Sequence, residues 1–242
     1  MDSNKKCKVE VCFSPMQFPL FETGDSIVVV IDILRASSVI TTMFMNGVKS
    51  VIPVSTIEEA KQKKAEGFMV VAERDAKKLD FADFGNSPFY FTKDVVEGKT
   101  LIYSTTNGTH AITMGKNAKQ VVIGSFLNLT ALIKYLSAQK SDVIFLCAGW
   151  KDKFCLEDTL MAGAAAEKLL ENTNFFSECD SAYASIDLWE KAKPCALSYL
   201  EKAAQKIRLK NMGLDDVIPY CFTPDQTDII PILQGKELVV MK

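Results

Sequence analysis

Short, almost wholly apolar runs alternate along the chain with longer segments whose apolar residues recur every three or four positions. The short runs are rich in β-branched residues and bounded by polar turns. They predict strands at Lys8–Phe13, Ile27–Ile33, Ser50–Val54, Met69–Glu73, Thr100–Ser104, Gln120–Gly124, Asp142–Cys147 and Leu238–Met241. The longer segments predict helices at Ala36–Met45, Ile57–Glu66, Pro88–Val96, Thr109–Met114, Leu129–Ala138 and Leu156–Glu171. Thr56 followed by Glu59 forms a capping box for the second helix, and Gly67 supplies its stop. Val28–Ile31 has no polar alternation, as expected of a central parallel strand covered on both faces.

This βαβα order predicts an α/β fold, with three α/β/α layers around a largely parallel or mixed central sheet. After Glu171 the rhythm changes. Residues 181–210 read as mostly helical, with a break near Pro194. The expectation is a single domain over residues 1–242 whose mainly helical C-terminal segment packs onto the sheet. Any subdomain break should fall near residues 172–180. The basic face of Ala196–Lys210 is expected to be solvated.

Composition narrows the classes. The 242 residues carry 28 basic and 30 acidic side chains, a net charge of −2, which argues against a broad nucleic-acid or membrane surface. The opening MDSNKKCKVEVCF lacks the apolar stretch of a signal peptide, and no run approaches the ~18 residues of a membrane span. The seven cysteines are scattered, odd in number and free of CxxC spacing, which fits reduced thiols in the cytoplasm. With His110 as the single histidine, a zinc site is hard to assemble. A homodimer is the base expectation for assembly.

Polar clusters follow the predicted strands: IDILRASS (31–38), AERDA (72–76), DFGNSP (83–88), STTNGT (104–109), GSFLN (124–128) and CAGWKDKFCLEDT (147–159). Each alone is ordinary turn chemistry. Strands of a parallel sheet end on one edge, so together the clusters can converge on one cleft. Asp32, Glu157 and Asp158 are candidate neighbours of Mg2+, a cation that takes few carboxylates and completes its shell with water and substrate oxygens. Arg35 and Arg74 are candidate oxyanion clamps. Ser37, Ser38, Asn86, Ser87, Ser104, Thr105, Thr106, Asn107 and Asn128 offer neutral groups, and Gly108 allows close backbone approach. Asp32, Arg35 and Glu157 are the candidate catalytic set. His110 is read as a bystander.

Other phosphate chemistries fail on pattern. GKT at Gly98–Thr100 lacks the earlier glycine of a P-loop and precedes a strand. No cysteine is followed six residues later by an arginine, and Asp32 is followed by Ile33 and Leu34, not by the DxD of aspartyl phosphatases.

DILRASS, AER, FGNSP, STTNGT, GSFLN and CAG followed by EDT, in this order between Asp32 and Thr159, resemble the 2-phosphosulfolactate phosphatases of coenzyme M biosynthesis. The resemblance implies Mg2+-dependent hydrolysis of (2R)-2-phospho-3-sulfolactate, a small phosphorylated sulfonate, to (2R)-3-sulfolactate and phosphate. The route is either direct water attack or a phosphoenzyme on Asp32. Alternatives are a phosphatase of another small phosphorylated hydroxy acid, a non-catalytic anion-binding regulator, and a purely structural subunit.

Overall fold

A computed structural model describes residues 6–21 and 23–240. Its elements are β1 (Cys7–Cys12), β2 (Ile27–Ile31), α1 (Ala36–Met45), β3 (Ser50–Pro53), α2 (Ile57–Ala65), β4 (Met69–Arg74) and β5 (Lys77–Lys78). Next come α3 (Lys93–Val96), β6 (Thr100–Ser104), α4 (Gly108–Met114), β7 (Gln120–Gly124), α5 (Leu129–Gln139), β8 (Val143–Cys147) and α6 (Leu156–Leu170). The C-terminal part adds β9 (Phe175–Phe176), α7 (Asp180–Ala192), α8 (Ala196–Tyr199), α9 (Ala204–Asn211), α10 (Ile218–Cys221), β10 (Pro231–Gln234) and β11 (Glu237–Val240).

The fold is α/β, and its mostly parallel, mixed sheet has the order β5-β4-β6-β3-β11-β10-β7-β2-β8-β1-β9. One limb, β7-β2-β8-β1-β9, is parallel throughout, as is the β4-β6-β3 core of the other. The β10–β11 hairpin joins them through three successive antiparallel pairings. An odd number of reversals means that β2 and β6 would run oppositely in a flat sheet, so the single carboxyl edge expected from sequence does not exist. Twist changes the outcome. Five strand-to-strand steps separate β6 from β2, and at roughly 20–25° each they undo about 100–125° of that reversal.

The limbs thereby enclose α1 and α4. Helix α4 packs against β2 on one limb and β3 on the other. A single core cluster joins Val28 and Val30 of β2, Val39 and Met43 of α1, Ile112 of α4, and Val51, Leu101 and Tyr103 of the second limb. The opposite face of β2, Ile27, Val29 and Ile31, packs with α5, α6 and α7. Nine of the ten residues of α1 are buried, as required of a helix covered all round. Its hydroxyls are absorbed internally: Thr41 and Thr42 donate to the carbonyls of Ser37 and Ser38, both at 2.8 Å.

Local expectations mostly hold. Thr56 Oγ1 accepts the Glu59 N–H at 3.1 Å, and Gly67, with φ +90°, ends α2. The helix expected at Pro88–Val96 is instead a 3-10 turn, Pro88–Tyr90, followed by the single turn α3. Residues 172–180 contribute edge strand β9 and lead into α7. The small residues of α6 admit α7 very closely: a Cβ on Gly163 would lie 2.1 Å from the Ser185 carbonyl oxygen. Met241, included in the last expected strand, lies outside the described residues. Among the described residues no helix is long and apolar enough to cross a membrane.

Candidate active site

Asp32 immediately follows β2. One carboxylate oxygen, Oδ1, accepts the Ala36 N–H at 3.1 Å, and its backbone carbonyl accepts the Ser37 N–H at 2.8 Å, so it caps α1. Its other oxygen faces Gly108 at the start of α4. A Cβ on that glycine would lie 2.9 Å from Asp32 Oδ2 and 2.5 Å from Ala36 Cβ. Glycine is needed here for close approach of the two limbs, as distinct from any unusual φ.

Asp32, Arg35, Glu73, Asn86, Asn107 and Trp150 line one polar cleft. Arg35 is buried, and its guanidinium reaches the Ala76 carbonyl only at 3.5 Å. The Leu34–Arg35 peptide bond is cis. Asn86 Oδ1 accepts the Tyr103 hydroxyl, and Asn107 Oδ1 accepts the Lys151 N–H at 3.1 Å. Both amides therefore keep their Nδ2 donors for the cleft. Arg35, Ala76 and Asn86 also border a wider groove that includes Ser87, Lys77 and Lys78.

Negative charge dominates around Asp32. Burial, with Glu73 and Glu157 nearby, pushes its carboxyl up to about 7, against the opposing pull of the Ala36 N–H and Arg35. Burial also raises Glu157, while burial and the charges of Glu157 and Asp32 raise Asp158 well above the carboxylate range. Asp158 receives a backbone N–H on each oxygen, from Ile33 at 2.9 Å and Gly149 at 3.0 Å. It thus ties the turns after β2 and β8 together. Among the described residues no three His, Cys, Asp or Glu side chains form a group able to hold a metal ion, so the expected three-carboxylate set is not assembled. The remaining donor chemistry, Asp32 on the cleft with Glu157 in electrostatic reach and the charged form of both disfavoured by burial, suits a cation that needs one or two carboxylates.

Several expected substrate groups have other employment. Arg74 lines neither the cleft nor the groove. Its guanidinium donates to the Glu73 carbonyl at 2.6 Å, the Ser104 carbonyl at 3.2 Å and Ser104 Oγ at 3.0 Å, bracing β4 against β6. Ser37 Oγ accepts the Asp32 N–H, and Ser38 donates to the Ile33 carbonyl. Thr105 Oγ1 accepts the Thr109 N–H, and Thr106 Oγ1 accepts the Asp75 N–H. Asn128 accepts from Ser125 and donates to the carbonyls of Ile123 and Ile229, stitching the β7 end to the last hairpin. These are supports of the site, because secondary structure had already claimed their polar groups. His110 is exposed on α4 and lines neither space.

Sequence reasoning missed Glu73, Trp150 and Gln205. Glu73 is buried and accepts the N–H groups of Thr106 at 2.8 Å and Ala76 at 2.6 Å, joining two motif loops. Its signal was present, an acid inside AERDA at a strand end beside the residue chosen. Gln205 lies on α9, in the segment whose basic face is expected to be solvated. Lys202 and Lys210 are indeed exposed, but Arg208 turns inward onto Trp150.

A sequence profile described as 2-phosphosulpholactate phosphatase matches residues 12–236. A Caldanaerobacter subterraneus protein named "Probable 2-phosphosulfolactate phosphatase" is 40% identical over 212 residues, covering 86% of this chain and 88% of that protein. Proteins of the same name from Thermotoga maritima and Clostridium perfringens are 38% and 35% identical, covering 85% and 92% of this chain and 88% and 92% of their own lengths. A match over nearly the whole fold, including every motif loop that meets at Asp32, places this chain in the 2-phosphosulfolactate phosphatase family, a family of phosphoric monoester hydrolases.

Proposed function

We propose that the protein is a cytoplasmic, Mg2+-dependent phosphatase that hydrolyses (2R)-2-phospho-3-sulfolactate to (2R)-3-sulfolactate and phosphate. The observation that carries this reading is the cleft itself, where buried Asp32 and Arg35 meet the amide donors of Asn86 and Asn107. Arg35 is suited to grip oxyanions with two parallel hydrogen bonds, and the asparagines orient them without adding charge. Lys77 and Lys78 in the adjoining groove suit the remaining anionic groups of a substrate bearing phosphate, sulfonate and carboxylate.

Asp32 would hold Mg2+, with Glu157 acting through water, and the bound ion would offset phosphoryl charge and help activate water. The protein's own part is to keep Asp32 fixed by the Ala36 N–H, to limit water access, and to aim Arg35. Asp158 and Glu73 act on the loops, through backbone amides. Phosphate release from a panel of phosphorylated hydroxy acids, with Mg2+ and with chelator, tests the reading. Turnover of the phosphosulfonate only with Mg2+ is expected. Preference for a non-sulfonated acid would reassign the substrate, and ligand binding without turnover would favour a regulator.

A further inference from the structure

Helix α9 lies outside the motif loops, yet it closes one wall of the cleft. Gln205 is buried, and its Nε2 donates to the Leu34 carbonyl at 2.8 Å, 171 residues away in sequence. Its Oε1 accepts Arg208 Nε at 2.7 Å and also Arg208 Nη2. The same guanidinium lies 3.6 Å from the centre of the Trp150 ring. Gln205 and Trp150 share the cleft with Asp32 and Arg35.

The Leu34 carbonyl belongs to the peptide unit from which Arg35 departs. The 3.5 Å contact of Arg35 with Ala76 is at the limit of a hydrogen bond. Its aim therefore depends on its backbone, and Gln205 grips that backbone directly. Trp150 sits in a loop pinned elsewhere by Gly149 N–H to Asp158 and Lys151 N–H to Asn107. Lys151 Nζ lies 5.1 Å from the ring centre, and Arg208 makes the closer contact, a guanidinium stack that lysine cannot reproduce.

We propose that Gln205 and Arg208 are positioning residues for phosphate-ester hydrolysis: Gln205 aims Arg35 through the Leu34 carbonyl, and Arg208 holds Trp150 against the cleft. The proposal rests on the functional reading above, so its test has a readout independent of turnover. The chain has two tryptophans, and Trp189→Phe leaves Trp150 as the sole emitter. In that background, Arg208→Lys keeps the charge and removes the stack, while Gln205→Glu keeps the shape and sets a carboxylate against the Leu34 carbonyl.

Acrylamide quenching of Trp150 should rise about twofold or more in Arg208→Lys. Displaced catalytic groups commonly cost orders of magnitude, so kcat/KM should fall about tenfold or more in both variants, at temperatures where circular dichroism shows both folded. Normal quenching and normal kcat/KM in Arg208→Lys would overturn the role of Arg208, and normal kcat/KM in folded Gln205→Glu that of Gln205. Should Gln205→Glu fail to fold, Gln205→Met, which removes the donor to the Leu34 carbonyl and keeps the length, decides the role of Gln205 by the same kcat/KM criterion. If the Trp189→Phe parent hydrolyses no phosphate ester, the functional reading fails, and unchanged quenching in Arg208→Lys still rejects the stack.

Discussion

Asp32→Asn should raise stability while removing activity, and the structure sets the size of the effect. A carboxyl raised from 3.8 to about 7 makes the charged form ~4 kcal/mol less favourable in the folded protein than in the unfolded chain, at ~1.36 kcal/mol per pH unit. The folded state binds this proton more tightly. The penalty is therefore absent below about pH 4, grows as pH rises from about 4 to 7, and is complete above 7. Asparagine removes the charge and can still accept the Ala36 N–H. Glu157 shares the electrostatic burden and relaxes when Asp32 is neutralised, so about half, ~2 kcal/mol, is the expected gain. For a chain of this size that is a Tm increase of ~4–8 °C at pH 8.

Thermal melts in chelator at pH 4, 6 and 8 check this. The variant should match the wild type at pH 4 and exceed it progressively above. Mg2+ at about a hundred times its Kd should add ~2.7 kcal/mol to the wild type and little to Asp32→Asn. An equal or lower Tm for Asp32→Asn at pH 8 without divalent cation would refute the reasoning, as would retained turnover.

Arg35→Lys should lose at least ~1.5 kcal/mol of transition-state stabilisation, about tenfold in kcat/KM. Arg74→Lys should change kcat/KM less than threefold but lower Tm, since its guanidinium braces Ser104; equal kinetic losses would contradict the distinction. Gly108→Ala should destabilise by ~1–3 kcal/mol and abolish turnover, because its Cβ would enter Ala36 and Asp32; normal melts and kinetics would exclude this packing role. His110→Gln should cost less than tenfold in kcat, and a thousandfold loss with the fold intact would make it a general acid. Iodoacetamide should modify Cys195, the exposed cysteine among the seven, with most activity retained; complete inactivation accompanying its modification would contradict a thiol-independent reaction.

The elements with strong local patterning were legible in sequence: β2 from four consecutive β-branched residues, α1 from its apolar run, and α2 from Thr56 and Gly67. Lys77–Lys78 and Phe175–Phe176 were not, because two-residue edge strands exist only by pairing with a neighbour. The motif loops correctly marked the place of the cleft. They could not separate residues facing it from those supporting it. Arg35 and Arg74 look equivalent in the sequence, and only tertiary hydrogen bonding to Ser104 removes Arg74 from the cleft. Asn107 and Asn128 both precede helices, yet only Asn107 lines the cleft, while the amide of Asn128 is consumed by carbonyls on either side.

The join between limbs explains why this site needs a twisted sheet. One limb delivers the charged groups Asp32 and Arg35 from the end of β2, with Glu157 and Asp158 from the start of α6. The other delivers Glu73 from the end of β4 and Asn107 after β6. The limbs meet in the sheet through the β10–β11 hairpin, where Ile232 pairs with Val122 and Leu238 with Val51. Such narrow pairing would leave the angle between the limbs poorly set. What fixes it is the layer inside: α1 begins at Ala36, just after Asp32, α4 begins at Gly108, and the two starts lie in van der Waals contact. The helices that position the proposed reacting groups are thus also the wedge between the two halves of the sheet, so a substitution that spreads the wedge should disturb catalysis before it unfolds either limb.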